Sequence, residues 1–158
     1  MKHYLIYFFL LLTPILSFAQ HEHEEEEEQM ESNFNSLDIA TDFIYDLNNK
    51  EIPLDVILSK WVIVEEPSDE LYDYLEVSLE EIRLNLTSKN IDQIEIKNYS
   101  QLPRKEVRDI DPEGLNVNDM YFIYYKNRLV TSIYVEGDKI GSFTLVSKGD
   151  ERAHFVLY

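Results

Sequence analysis

The sequence predicts an α+β domain: two short helices or turns and one long helix on one face of a curved antiparallel sheet. Helical spacing of apolar residues dominates residues 36–88, and short β-rich runs with tight turns fill residues 120–158. The chain has 158 residues, of which 13% are aromatic, so it has the length of one domain and material for a core. Tight turns make neighbouring strands antiparallel, so we expect a meander of four to six strands.

Apolar stripes define the helices. In the first helix the stripe consists of Leu37, Ile39, Ala40, Phe43, Ile44 and Leu47, and in the longest it consists of Leu71, Leu75, Leu79, Ile82 and Leu86. Pro53 suits the start of a short helix, and serine or asparagine suits an N-cap. The expected helices are residues 36–48 with Asn35 or Ser36 as cap, Pro53–Lys60, and 68–90 with Ser68 as cap.

β-rich runs define the strands. The expected strands are Trp61–Val64, Ile94–Lys97, Met120–Lys126, Leu129–Glu136, Ile140–Val146 and Ala153–Tyr158, with a loop from Ser100 to Asn118. Hairpin turns are expected at Lys126-Asn127, Gly137-Asp138 and Lys148-Gly149-Asp150.

The first nineteen residues read as a secretory signal peptide. Lys2 supplies the positive end, Leu5–Leu12 is an apolar run, and Ser17-Phe18-Ala19 fits a cleavage site. The apolar run is too short for a membrane span, which needs about 20 residues. We therefore expect export to the periplasm or the medium and no membrane attachment after cleavage. The Phe-Ala-Gln ending resembles exported proteins of Bacteroidota.

An acidic segment, residues 20–33, follows the signal, and the folded domain is expected at 34–158. Seven carboxylates lie between residues 21 and 31, which predicts a disordered, solvated tail. His21 and His23 lie beside glutamates and are candidate ligands for zinc, copper or nickel. A solvated spacer explains the same residues and is the preferred interpretation.

Charge restricts the partners. The formal net charge of −17 makes nucleic acids and anionic lipids poor partners, and the absence of cysteine excludes disulfides and thiolate chemistry. Residues 32–88 carry a net charge of −10, whereas residues 89–158 carry −1. We therefore expect an acidic helical layer and a nearly neutral sheet.

The order of elements resembles the nuclear transport factor 2-like superfamily of cone-shaped α+β domains. The closest stretch is 40–64, which reads ATDFIYDLNNKEIPLDVILSKWVIV: a helix, a polar turn, a short helix and an apolar strand. The resemblance implies a pocket between the long helix and the concave face of the sheet, and dimerisation through the sheet. A cystatin-like helix-on-sheet fold is the alternative.

Four tyrosines crowd the expected sheet and are the candidate ligand or interface residues: Tyr121, Tyr124, Tyr125 and Tyr134. Alternation places Tyr121 and Tyr125 on one face and Tyr124 on the other. Tyrosine is enriched at protein interfaces, which favours a contact with a protein or a glycan. Aromatic side chains also pack across strands, so ordinary core packing remains the alternative.

His154 is the histidine of the expected sheet and the candidate acid–base residue. Catalysis would require an acid beside it, and the sequence does not place Asp42, Asp46 or Tyr45 there. A lone histidine in a strand is more often structural or exposed.

The segment Asp109-Ile-Asp111-Pro-Glu113-Gly114 resembles the opening of a calcium loop, which makes the three acids candidate ligands. Met120 stands where such a loop needs glutamate, and Asp-Pro-Glu-Gly also fits a type I turn. Arg104, Lys105 and Arg108 are a candidate anion contact, although they also neutralise nearby acids.

The leading hypothesis is a non-enzymatic, exported domain that binds a small ligand or a protein and needs no cofactor. One alternative is a pocket enzyme of isomerase or dehydratase type that uses His154. The other is a structural module that acts through the tyrosine-rich sheet.

Overall fold

The computed structural model describes residues 36–147 and 152–158. The expected signal, the acidic segment with His21 and His23, and the turn at 148–150 lie outside these residues. The helices are α1 (36–48), α2 (Leu54–Trp61), α3 (Asp69–Thr87) and α4 (Arg104–Val107), with 3₁₀ turns at Ile91–Gln93, Tyr99–Gln101 and Val117–Asp119. The strands are β1 (Ile94–Asn98), β2 (Met120–Tyr125), β3 (Arg128–Glu136), β4 (Lys139–Ser142), β5 (Leu145–Val146) and β6 (His154–Phe155).

The fold is α+β, as the sequence predicts. Strands β1 to β4 form an antiparallel sheet in the order β1-β2-β3-β4, and β5 pairs with β6 in a separate two-stranded sheet. Ile94 faces Tyr125 across the first pair of strands, and Tyr125 faces Arg128 across the second. Because consecutive strands are neighbours, the main sheet is a meander.

The predicted helical stripes face the first core, although Leu71 and Ile82 are only partly buried and Leu37 is exposed. Phe43 and Leu47 in α1 and Leu75 and Leu79 in α3 are completely buried. Leu37 is 38% exposed, so its expected place in the core is wrong. The first turn of the helix buries Ser36 instead, whose hydroxyl lies 2.8 Å from that of Tyr121 in β2.

The helix ends differ slightly from those expected. α2 ends at Trp61 because the Val62 N–H still donates to the Leu58 carbonyl at 3.0 Å. Ser68 caps α3 as predicted, accepting from the Leu71 N–H at 3.2 Å. α3 ends at Thr87 rather than near Asn90, since Asn90 caps the following 3₁₀ turn.

Trp61–Val64 does not form the expected strand. Trp61 belongs to α2, and Val62 makes only an isolated parallel bridge with Ile140. One hydrogen bond follows it, from the Ile63 N–H to the Ile140 carbonyl at 2.9 Å. The segment therefore runs beside β4 without extending the sheet.

The last predicted strands also differ from expectation. Ile140–Val146 is interrupted after Ser142, whose hydroxyl accepts from the Thr144 N–H at 3.1 Å. Of the run Ala153–Tyr158, only His154 and Phe155 form a strand, and they pair with β5 instead of the main sheet. The local turn at Ser142 separates β5 from β4.

Two cores lie on opposite faces of the main sheet. The first packs α1, α2 and α3 against the sheet and includes Phe43, Ile44, Leu47, Ile57, Leu75, Leu79, Leu86, Tyr121, Ile123, Ile133 and Val135. The second includes Leu102, Val107, Ile110, Met120, Phe122, Tyr124, Tyr134 and Phe155. The sequence predicts a cover on one face only, but the segment expected to be a loop, together with β6, supplies a second.

Candidate functional site

Tyr121, Tyr124 and Tyr134 are all buried. Tyr121 faces the helices, with its hydroxyl 2.8 Å from the Ser36 hydroxyl, and burial raises its pKa. Tyr134 faces the second core, where its ring centroid lies 6.1 Å from that of Phe155. Ordinary core packing, which was the alternative to an interface, therefore accounts for the positions of these three side chains.

Tyr124 also lines an open groove of about 550 Å³. Its hydroxyl donates to the Glu106 carboxylate at 2.9 Å, and the Lys97 ammonium lies 5.1 Å from its ring centroid. Burial, together with the hydrogen bond to Glu106 and its negative charge, raises the pKa of Tyr124 to about 12. The phenol is therefore neutral and a hydrogen-bond donor throughout the physiological range.

Tyr125 differs from the other three because it is half-buried at the end of β2. The expected alternation of faces is correct: Tyr121 and Ile123 join the first core, and Tyr124 joins the second. Tyr125 therefore points to the helical side, beyond the end of α3. The Lys126 ammonium lies 5.1 Å from its ring centroid and that of Lys89 lies 5.9 Å away.

We call the surrounding depression the basic groove, an open cleft of about 610 Å³. It is lined by Asn85, Ser88, Lys89, Tyr125, Lys126, Arg128, Leu129 and Val130. Three of these residues are cationic, and no carboxylate belongs to the lining. Within the part of the chain that the structure describes, Lys89, Lys126 and Arg128 form no ion pair.

Two local structures position the cations. Lys89 follows α3, and its ammonium donates to the Asn85 carbonyl at 2.5 Å and to the Ser88 hydroxyl at 3.2 Å. A cation at this point is favoured by the partial negative charge of the helix C-terminus. Lys126 occupies the hairpin turn, where its φ of 48° and the φ of 62° at Asn127 are those of a type I′ turn.

Apolar surface completes the basic groove. Leu129 is 50% exposed and Val130 is half-buried, and both line the groove together with Tyr125. The groove therefore offers cations to an anionic group and apolar surface to an organic body. The sequence does not reveal this set of cations, because Lys89 is distant in the chain from Lys126 and Arg128 and joins them only where the β2–β3 turn meets the end of α3.

His154 is half-buried in β6, opposite Val146. No side chain in 36–147 or 152–158 forms a hydrogen bond or ion pair with its imidazole. Asp46 instead accepts hydrogen bonds from Lys60 and Trp61. Asp42 and Tyr45 lie exposed on α1. The arrangement that the enzyme hypothesis requires is therefore not present among the described residues.

The acids of the expected calcium loop serve local contacts. Asp109 pairs with Arg108, and Asp111 pairs with Arg152 at 2.8 Å. Asp111 also accepts from the Glu113 N–H at 3.2 Å, which stabilises the turn. The hydrogen-bonded turn begins at Pro112 rather than at Asp111, because the Leu115 N–H donates to the Pro112 carbonyl. The described residues contain no group of three or more histidines or acids that could hold a metal ion.

The resemblance implies a pocket between α3 and the sheet. Leu75, Leu79 and Leu86 of α3 occupy that space, and they belong to the same buried cluster as Ile123 and Ile133. Among the helices of the described residues, none is long and apolar enough to cross a bilayer.

Comparison of this chain with family models, curated proteins and solved structures gives no match.

Proposed function

We propose that this protein is a binding module whose basic groove takes a small organic anion, such as a carboxylate with an apolar body. One observation carries the proposal: Lys89, Lys126 and Arg128 line one groove with Tyr125, and none of the three forms an ion pair with a carboxylate of the described residues. Four cations elsewhere in the described residues, Lys60, Lys97, Arg108 and Arg152, do form ion pairs with carboxylates. Cations without such neighbours can pair with an anion at no cost in broken ion pairs.

The size and chemistry of the groove restrict the ligand. A volume of about 610 Å³ is in the range of small-molecule sites. The groove is open, and its cations are solvated, so we expect modest affinity that decreases with salt. The strong net negative charge disfavours an extended polyanion, whose outlying charges would be repelled by the acidic helical layer. A compact monoanion or dianion avoids that repulsion.

Ligand isosteres test the proposal directly. In calorimetry at low salt we expect benzoate to bind more tightly than benzamide, and benzylamine not to bind. The Arg128→Gln variant should weaken benzoate binding by about tenfold, the loss of roughly one charge-assisted contact. Lys139→Gln is the matched control, because Lys139 lies at the far end of β3–β4 and outside the groove.

Two outcomes would contradict the proposal. Equal affinity for benzoate and benzamide would show that the three cations do not contribute to ligand binding. Equal loss in Arg128→Gln and Lys139→Gln would show general charge attraction rather than a site. Amide shifts in nuclear magnetic resonance should be confined to residues 85–89 and 125–130.

We further propose that the domain is cone-shaped and of the nuclear transport factor 2-like kind, and that it is exported after cleavage following Ala19. The order α1, α2, α3 followed by a meander supports the first proposal. The pattern of residues 1–19 supports the second. Cell fractionation with N-terminal sequencing tests export, and a chain that keeps Met1 and stays with the cytoplasm would contradict it.

A further inference from the structure

The outer side of α3 carries an exposed apolar row, which we call the apolar ridge: Tyr74, Val77 and Leu84. Their exposed fractions are 51%, 62% and 59%. The opposite side of the helix holds Leu75, Leu79 and Leu86, which are completely buried. The core therefore does not need the ridge, and an amphipathic helix ordinarily carries polar residues there. Exposed apolar residues that line up along one element indicate a contact surface.

The spacing along the ridge is that of a helix–helix contact. Tyr74, Val77, Glu81 and Leu84 follow one another at intervals of three, four and three residues, the a/d alternation of helices packed side by side. The row is about 15 Å long at a rise of 1.5 Å per residue. A straight row of this length fits one helix lying along α3, with an apolar seam interrupted at Glu81.

Charge determines what kind of helix fits. α3 contains six carboxylates, and its one basic residue, Arg83, is buried. Glu81 is exposed within the row, and Asp73 and Glu80 flank it. None of these six acids forms an ion pair with another residue of the described ranges. A second copy of this chain would bring the same six acids against them, which costs affinity.

We propose that the apolar ridge is a docking surface for a basic amphipathic helix of a partner protein. The partner places apolar residues against Tyr74, Val77 and Leu84 and a lysine or arginine against Glu81. The apolar seam supplies affinity, while the flanking acids select a basic partner and exclude an acidic one. This surface is separate from the basic groove and does not depend on the function proposed for it.

Three synthetic 21-residue peptides test the proposal at physiological salt with the full chain. The first has leucine at a and d positions and lysine elsewhere on the contact side. The second replaces those leucines with serine at the same charge, and the third replaces the lysines with glutamate. We expect the first to bind, the second to bind at least about tenfold more weakly, and the third not to bind.

Variants locate the surface. Val77→Ser with Leu84→Ser should weaken binding of the first peptide by about tenfold or more, since both side chains lie in the seam. Val56→Ser is the matched control, because Val56 is an exposed apolar residue of another helix, α2. Far-ultraviolet circular dichroism checks that the substituted helix is retained.

Three results would contradict the proposed docking surface. If the first and second peptides bind equally, or if Val56→Ser weakens binding as much as the ridge variant does, only general charge attraction is present. If the chain is a dimer in analytical ultracentrifugation and the ridge variant makes it a monomer, the occupant is a second copy and the proposal is wrong.

Discussion

The phenol of Tyr124 donates a hydrogen bond to the carboxylate of Glu106 across 2.9 Å, joining β2 to the short helix α4. This bond crosses from the sheet to the layer that covers its second face. It keeps the phenol protonated well above its ordinary pKa of 10.0.

In alkaline titration we expect Tyr124 to ionise near pH 12, because burial and the Glu106 carboxylate both oppose a phenolate. A raised pKa means that the stability contribution is complete below pH 10 and is lost as the pH rises towards 12. Glu106→Gln should lower the pKa of Tyr124 towards 10.0. The difference in absorbance at about 295 nm between each protein and its Tyr124→Phe derivative isolates this one phenol. A Tyr124 pKa unchanged by Glu106→Gln would contradict the assigned cause.

Arg83 is buried, and its guanidinium donates to the Leu47 carbonyl at 3.0 Å and to the Ile52 carbonyl at 2.7 Å. The residue thereby ties the end of α1 and the following turn to α3. We expect Arg83→Met to lower the free energy of unfolding by about 2–4 kcal/mol, since two charged hydrogen bonds are lost and two carbonyls lose their donor. Urea unfolding measures this, with the exposed Arg128→Met as control. A loss no larger than that of the control would show that solvent replaces the guanidinium.

Asp46 accepts hydrogen bonds from Lys60 at 2.7 Å and from the indole of Trp61 at 2.8 Å. Burial acts to raise the pKa of Asp46, but these two donors and the charge of Lys60 outweigh it, so the pKa lies below 3.8. The stability that the carboxylate supplies is present above pH 3.8 and is lost as the pH falls through the lowered pKa.

Trp61 is the one tryptophan of the chain, so its fluorescence reports on this contact. As the pH is lowered, we expect the fluorescence emission of Trp61 to change with a midpoint below pH 3.8. In the Asp46→Asn variant this transition should be absent. The variant should also be less stable at pH 7, because its amide cannot pair with Lys60. A persistent low-pH transition in Asp46→Asn would assign the change to global acid unfolding instead.

Lys126 adopts a left-handed conformation, with φ of 48°, in the turn beside the basic groove. This conformation costs a non-glycine residue roughly 1 kcal/mol, so Lys126→Gly should raise the free energy of unfolding by up to that amount. It should also weaken benzoate binding, because one of the three cations is lost. Asn127→Gly relieves the neighbouring residue, with φ of 62°, and keeps every cation, so it should leave binding unchanged. Urea unfolding and calorimetry on both variants separate the effect of backbone strain on stability from the effect of the lost cation on benzoate binding.

Local patterns predict the helices and the meander well. The stripes of α1 and α3 and the Ser68 cap depend on residues within a few positions of one another, and the structure contains them. The prediction of a strand at Trp61–Val64 was wrong because a strand needs a partner strand along its length. In this segment Val62 forms only an isolated bridge with Ile140. The cover of the second face was missed because its short turns have no periodic pattern.

The candidate site was less predictable for the same reason. The crowding of four tyrosines is visible in the sequence, but the burial of three of them and the groove beside Tyr125 depend on how distant segments pack. Arg83 and Lys89 look alike in the sequence as basic residues near the end of one helix. Arg83 is structural because it is buried and donates to backbone carbonyls. Lys89 lines the basic groove because its ammonium lies over the ring of Tyr125.

β2 belongs to both cores, with Tyr121 and Ile123 on one side and Phe122 and Tyr124 on the other. A strand with two buried faces cannot detach from one layer without uncovering the other. The helices and the turn-rich cover are therefore thermodynamically coupled through a six-residue segment, although they share no face of the sheet. The protein should consequently melt as one cooperative unit, with the amide protons of β2 exchanging only when the whole domain opens.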